Sequence, residues 1–241
     1  MIASLPMYWR DETDASWDAF WRDVRARMPD LPPMTRPTDL PLNWDSHWRA
    51  PDLALSQTCG LPYRARLHAH VTYIGTFDFG FSDAPAGSYH SVVLTRPGDA
   101  RSDAAMRLAY NAPDSQSGWA ASEGRAFASY VCTGAHFVSV QAVADGRADI
   151  AFVDAVTWRI LRAVDPSLAA RVTVTEQTRP TPGLPLIAAA GVDPLPLRAA
   201  LMAALDVIPT QVRQDLGGPV GLSVLNPAAY LALPIPAPPP T

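Results

Sequence analysis

Lysine is missing from this chain, and its nineteen basic residues are all arginine. They are scattered, and the formal net charge is −4. With no basic face on offer, a nucleic-acid partner is not expected. Cysteine is nearly missing too. Cys59 and Cys132 alone make no disulfide framework. Their spacing does not settle whether they meet, and both read as small buried apolar groups. Neither Cys-x-x-Cys nor His-Glu-x-x-His occurs, so no metal or cofactor is expected. No apolar run approaches the roughly 18 residues of a membrane helix, so no transmembrane segment is expected. The N-terminus has no basic stretch followed by a long apolar one, as a secretory leader would. On that reading the chain is cytoplasmic if complete, or else a processed form, and the compartment stays open. There is no Gly-x-Ser-x-Gly elbow and no Walker loop. No catalytic residue stands out, and the chain is not expected to be an enzyme.

What is present is a globular composition. Hydrophobic residues make up 48% and charged residues 17% of 241, enough for one large domain or two lobes with separate cores. The spacing Trp17, Phe20, Trp21, Val24, Met28 predicts an amphipathic helix capped by Thr13 or Asp14. Residues 52–60 read as a buried strand running into a glycine turn, with Ser56, Gln57 and Thr58 at its C-terminal end. Further strands are expected at 68–77, 89–95, 107–110, 148–153, 172–178 and 186–190. Helices are expected at 44–48, 119–130, 137–144, 155–164 and 194–207. The alternation argues for an α/β fold with mainly parallel sheets. Arg96-Pro-Gly-Asp99 and the Pro-rich segment from Thr178 to Pro185 are rigid enough to be crossings between lobes. The expected division is 1–95 plus 184–233 for lobe one and 96–183 for lobe two. Residues 234–241 are expected to form a disordered Pro-rich tail.

Three features in the middle of the chain carry chemistry. Asn111-Ala-Pro-Asp-Ser-Gln-Ser-Gly118 offers hydroxyls and backbone N–H groups at the start of the helix expected from Trp119. It suits either an ordinary helix cap or an anionic oxygen. Thr133-Gly-Ala-His136 opens a second helix, with Thr133 as its expected cap and His136 as a ring donor to an oxyanion. Asp154 ends a buried strand at a helix start. There it either caps the helix or accepts from a ligand's hydroxyl or amine.

Together these segments, with Gly146-Arg-Ala-Asp-Ile-Ala-Phe-Val-Asp154, Thr181-Pro-Gly-Leu-Pro185 and Gln57-Thr-Cys-Gly-Leu-Pro-Tyr63, resemble the phosphate/phosphite/phosphonate substrate-binding proteins of ABC transporters. The resemblance spans roughly residues 50–190. It implies the two-lobed type II periplasmic-binding-protein fold, with two hinge crossings and a ligand between the lobes. It puts Ser115, Gln116 and Ser117 on the phosphonate-gripping turn, although Gln116 stands where the family often has Thr or Ser. It puts His136 on the oxyanion-binding histidine and Asp154 near the acid that reads the ligand's far end. Tyr8, Tyr63 and Tyr73 are candidates for the other wall. The implied partners are a small anionic ligand and an ABC permease, and a monomer is expected. A binder of an organic acid or pyrimidine precursor, and an enzyme or sensor domain on the same scaffold, are the alternatives.

Overall fold

The computed structural model describes residues 1–240, and Thr241, the end of the expected tail, lies outside them. In chain order the principal elements are β1 (Ile2–Ser4), α1 (Asp14–Arg27), α2 (Trp44–Trp48), β2 (Leu53–Gln57), β3 (Val71–Asp78), β4 (Ser91–Thr95) and β5 (Arg107–Tyr110). They continue with β6 (Ser129–Cys132), α3 (His136–Ala144), β7 (Ile150–Asp154), α4 (Ala155–Val164), β8 (Thr173–Gln177), β9 (Pro185–Ala189), α5 (Pro194–Val207) and β10 (Gly221–Ser223). The chain forms two compact units. The first holds Met1–Ser88 and Pro182–Leu233, and the second holds Tyr89–Thr181 with residues 234–240. The crossings therefore fall at 88/89 and 181/182, where the sequence suggested 95/96 and 183/184. The physical reason for the first difference is that β4 pairs along its whole length with β7 and β8, inside the second unit.

The first unit is built on a five-stranded sheet in the order β1-β2-β9-β3-β10. Helix α1 buries Trp17, Phe20, Trp21 and Val24, the stripe its spacing predicts. Asn43 caps α2 by accepting from Asp45 N, and Asp193 caps α5 by accepting from Leu195 N. Trp48, Leu53, Tyr63, Leu67, Tyr73 and Tyr230 form one buried cluster.

The second unit is a five-stranded sheet in the order β6-β5-β7-β4-β8. Val140, Ala142 and Val143 of α3 and Leu161 of α4 pack on Val92, Ala109, Ala151 and Val153 of the strands. Residues 234–240 belong to this unit, and Trp119 Nε1 donates to the Ala237 carbonyl at 2.8 Å.

Two expectations need correction. The sheets are mixed and not mainly parallel. Pairs β1–β2, β5–β6 and β5–β7 are parallel, whereas β9 runs against β2 and β3, and β4 runs against β7 and β8. Parallel neighbours need a crossover, usually a helix, and β4 and β9 begin close to the crossings with no helix before them. The second correction concerns 119–130, which is not a helix. It holds one 3-10 turn, Ala120–Ser122, and then extends into β6. Gly124 adopts φ +80, which ends any helical run. Tyr130 and Val131 then find partners in Leu108 and Ala109 across the ladder.

Candidate functional site

The turn after β5 supplies the densest group of functional side chains. Without a helix behind it, the turn closes on itself. The Ser115 carbonyl accepts from Trp119 N at 3.2 Å and Ala120 N at 2.9 Å, and Ser115 Oγ accepts from Gly118 N at 3.0 Å. Ser115 is thus a cap without a helix. Its hydroxyl is already engaged in holding the turn. Gly118 is obligatory there, because a Cβ would lie 1.9 Å from Asn111 Oδ1. Ser115, Gln116 and Ser117 are all buried.

Ser117 is fixed from two sides. Ser91 Oγ, at the start of β4, donates to the Ser117 carbonyl at 2.9 Å. Ser117 Oγ lies 2.9 Å from Nε2 of His136, the first residue of α3. The sheet register sets Ser91 opposite Asp154. One edge of this unit therefore gathers Ser91, Ser117, His136 and the strand end at Asp154, residues spread over more than sixty positions of sequence. Sequence reading passed over Ser91, since a serine at a strand start carries no signal of its own.

The surroundings of His136 push its pKa down to about 4. Burial is the main cause, and an interaction with the Phe152 carbonyl partly offsets it. The ring is therefore neutral at pH 7 and carries one N–H, so toward Ser117 it gives or takes a single hydrogen bond. Ser117 and His136 offer an anion dipoles and no formal charge. Thr133 does not cap α3 as expected. The N-cap position falls on Ala135, with no side-chain cap bond, and Thr133 Oγ1 instead sits 2.7 Å from Ser139 Oγ and 3.1 Å from the Tyr110 carbonyl. It fastens the loop to the first turn of the helix.

Asp154 has the first of its two expected roles. Its Oδ1 accepts from Val156 N at 2.7 Å and Thr157 N at 3.0 Å, capping α4. That satisfies two of the N–H groups a helix start leaves over.

In the first unit, the three candidate tyrosines make aromatic contacts. Tyr63, Tyr73 and Tyr230 stack edge-on or tilted with ring centroids 5.1–5.8 Å apart, and Tyr8 meets Phe79 at 5.3 Å. Burial raises the Tyr63 hydroxyl to about 12 and lifts that of Tyr73 as well. The two thiols also depart from expectation. Cys132 is exposed and Cys59 is partly so, and both are free. Cys132 ends β6, which lies at the edge of its sheet.

One further polar residue of this unit stands out. Gln57 ends β2 and is completely buried, yet neither its Nε2 nor its Oε1 has a hydrogen-bond partner. A buried polar group left unpaired costs about 1–3 kcal/mol. Its sequence signals were its place in the polar trio Ser56-Gln57-Thr58 at a strand's C-terminal end and at the head of the Gln57–Tyr63 segment. Among the described residues no cluster of three or more His, Cys, Asp or Glu could hold a metal ion.

Residues 63–212 match the family described as ABC transporter, phosphonate, periplasmic substrate-binding protein. In structure the chain is similar to PhnD1 from Prochlorococcus marinus, solved in complex with methylphosphonate. The TM-score is 0.74 at 14% identity, covering 95% of this chain and 94% of that one. It is also similar to a binding protein component of an ABC phosphonate transporter from Pseudomonas aeruginosa. There the TM-score is 0.72 at 14% identity, covering 95% and 82%. A Xanthomonas citri protein bound to chloride ion gives 0.70 at 15% identity, covering 97% and 94%. These likenesses establish the type II periplasmic-binding-protein fold. No curated protein matches the chain in sequence.

Proposed function

Because this chain belongs to the periplasmic phosphonate substrate-binding proteins of ABC transporters, we propose that it captures a small phosphorus oxyanion: a phosphonate, phosphite or phosphate. It delivers that ligand unchanged to an ABC permease from the periplasm. The observation that carries this reading is the Ser117–His136 pair, 2.9 Å apart where the self-closed Ser115–Gly118 turn meets the start of α3. Hydroxyl and imidazole dipoles, held rigidly by Ser91 and by the start of α3, suit an oxyanion because they need little reorganisation when it arrives. Ser115 serves mainly to shape the turn. Ser117 and His136 make the direct contacts, with Gln116 beside them. Asp154 holds α4 in place and stands at the far end of the ligand. The family's printed description and the methylphosphonate complex of PhnD1 support this ligand class.

The test is calorimetric titration of the purified chain with methylphosphonate. Ser117→Ala and His136→Ala should each weaken binding by about 1–3 kcal/mol, since each leaves a ligand oxygen short of a donor in a buried site. Unchanged affinity in both variants would remove this turn as the binding site. Recovery of the ligand intact after long incubation separates a binder from an enzyme on the same scaffold.

A further inference from the structure

We propose that the aromatic face around Trp119 is a polyproline-binding site, that the second unit fills it with its own C-terminal segment, and that this docking braces the Ser115–Gly118 turn. Five of the seven residues from 234 to 240 are proline, and the segment forms neither helix, strand nor turn. Proline fixes φ near the polyproline II value and removes the backbone N–H. Such a segment offers carbonyls and almost no donors, and aromatic-lined surfaces take it at low entropic cost. Trp119 supplies the donor, its Nε1 donating to the Ala237 carbonyl at 2.8 Å. The rings of Tyr110 and Tyr130 flank the indole, with centroids 5.4 and 5.7 Å away. Burial along the segment has the matching period. Pro236 and Pro239 are partly covered, whereas residues 234, 235, 237, 238 and 240 are exposed. Polyproline II turns once in three residues, so that spacing keeps one edge of the segment on the surface.

Trp119 also belongs to the turn. It follows Gly118, and its backbone N–H donates to the Ser115 carbonyl at 3.2 Å, one of the bonds that close the turn on itself. Ser122 Oγ donates to the Trp119 carbonyl at 2.8 Å, and the ring packs on the buried cluster of Met106, Phe127 and Phe152. The docked segment thus fixes, through its side chain, a residue whose backbone shapes the turn. The effect on ligand rests on the reading of that turn as an oxyanion site, whereas the docking does not.

The test uses the full chain labelled with nitrogen-15. It follows the indole N–H of Trp119, identified as the signal lost in Trp119→Phe. The double variant Pro236→Gly/Pro239→Gly keeps the Ala237 carbonyl and frees the backbone. Its Trp119 indole signal should leave the wild-type position, and its hydrogen exchange should quicken. A free peptide with the sequence of residues 234–241 should restore the signal saturably, and a peptide with glycine for both prolines should not. An indole signal that stays in place in the double variant overturns the proposal, and so does equal restoration by the two peptides. For the brace, the double variant should bind methylphosphonate at least about twofold more weakly than the wild type, and the proline peptide should recover the loss. Unchanged affinity beside a displaced indole signal defeats the brace and leaves the docking. If the wild type binds neither methylphosphonate nor inorganic phosphate, the oxyanion reading has failed and the brace with it, and the indole signal still decides the docking.

Discussion

Gly118 shows how tightly a single residue can condition the candidate site. Any side chain there would drive into Asn111 Oδ1, so Gly118→Ala must push the turn or Asn111 aside. We expect a loss of about 1–3 kcal/mol in stability, read as a lower melting temperature, with ligand affinity falling further than in Ser117→Ala. A variant as stable and as tight-binding as the wild type would show that the turn is not under this constraint. His136 sets a pH dependence. Its pKa of about 4 in the fold lies below the ordinary histidine value near 6.5. The unfolded chain therefore binds more protons between those values. Stability from this group is complete above about 6.5, declines as pH falls through that window, and is gone below about 4. His47, buried against Ser56 Oγ at 2.8 Å, is shifted in the same direction by burial. In urea unfolding, the gap between wild type and His136→Gln should narrow as pH drops from 6.5 to 4.5. A gap that stays constant would contradict the burial of a neutral imidazole.

At the scale of elements, the second unit is tied at the end of its sheet away from the serine turn by Asp149. This nearly inaccessible carboxylate precedes β7. It accepts from Arg107 N and Nε at the start of β5 (2.9 and 2.8 Å), from Arg96 just after β4 (2.7 Å) and from Arg101 (2.9 Å). Arg96 in turn donates to the carbonyls of Val143 and Ala148, reaching the end of α3. The arginine hydrogen bonds hold the Asp149 carboxyl far below the usual carboxylate range. Its stabilising effect is thus present through the neutral range and lost only in strong acid. Asp149→Asn should cost about 2–4 kcal/mol at pH 7, measured by denaturant unfolding, with little change in the affinity of the molecules that remain folded. A cost near zero would mean the three arginines are served as well by solvent.

The elements also divide by how far they could be read in advance. Helices α1, α3, α4 and α5 were legible because apolar spacing is a local property of a short stretch, although the caps expected of Thr13 or Asp14 for α1 and of Thr133 for α3 are not made. The stretch 119–130 was not, because its state depends on pairing with β5 and on Arg125 holding Asp103 and Glu176. Strand direction was illegible for a related reason. A buried apolar run looks the same whichever way its neighbour runs, and β4 and β9 take their direction from where the chain crosses. The candidate site residues followed the same rule. Ser117 and His136 were visible through their motifs, whereas Ser91 gains meaning only from the hydrogen bond it makes to a turn distant in sequence.

For the molecule as a whole, the family and the type II fold were legible from several motifs in order, even though the likeness to known structures comes at only 14–15% identity. No helix among the described residues is long and apolar enough to cross a membrane. Whether the chain carries a small oxyanion is read by a thermal-shift titration. The purified chain would be heated with increasing phosphate, phosphite, methylphosphonate, 2-aminoethylphosphonate, sulfate and small carboxylates. A ligand that binds only the native state raises the melting temperature with its concentration, by about 2.7 kcal/mol of added stability at a hundred times Kd. Such a rise is expected with at least one phosphorus oxyanion and none with sulfate. A rise only with carboxylates, or with none of the set, would contradict it.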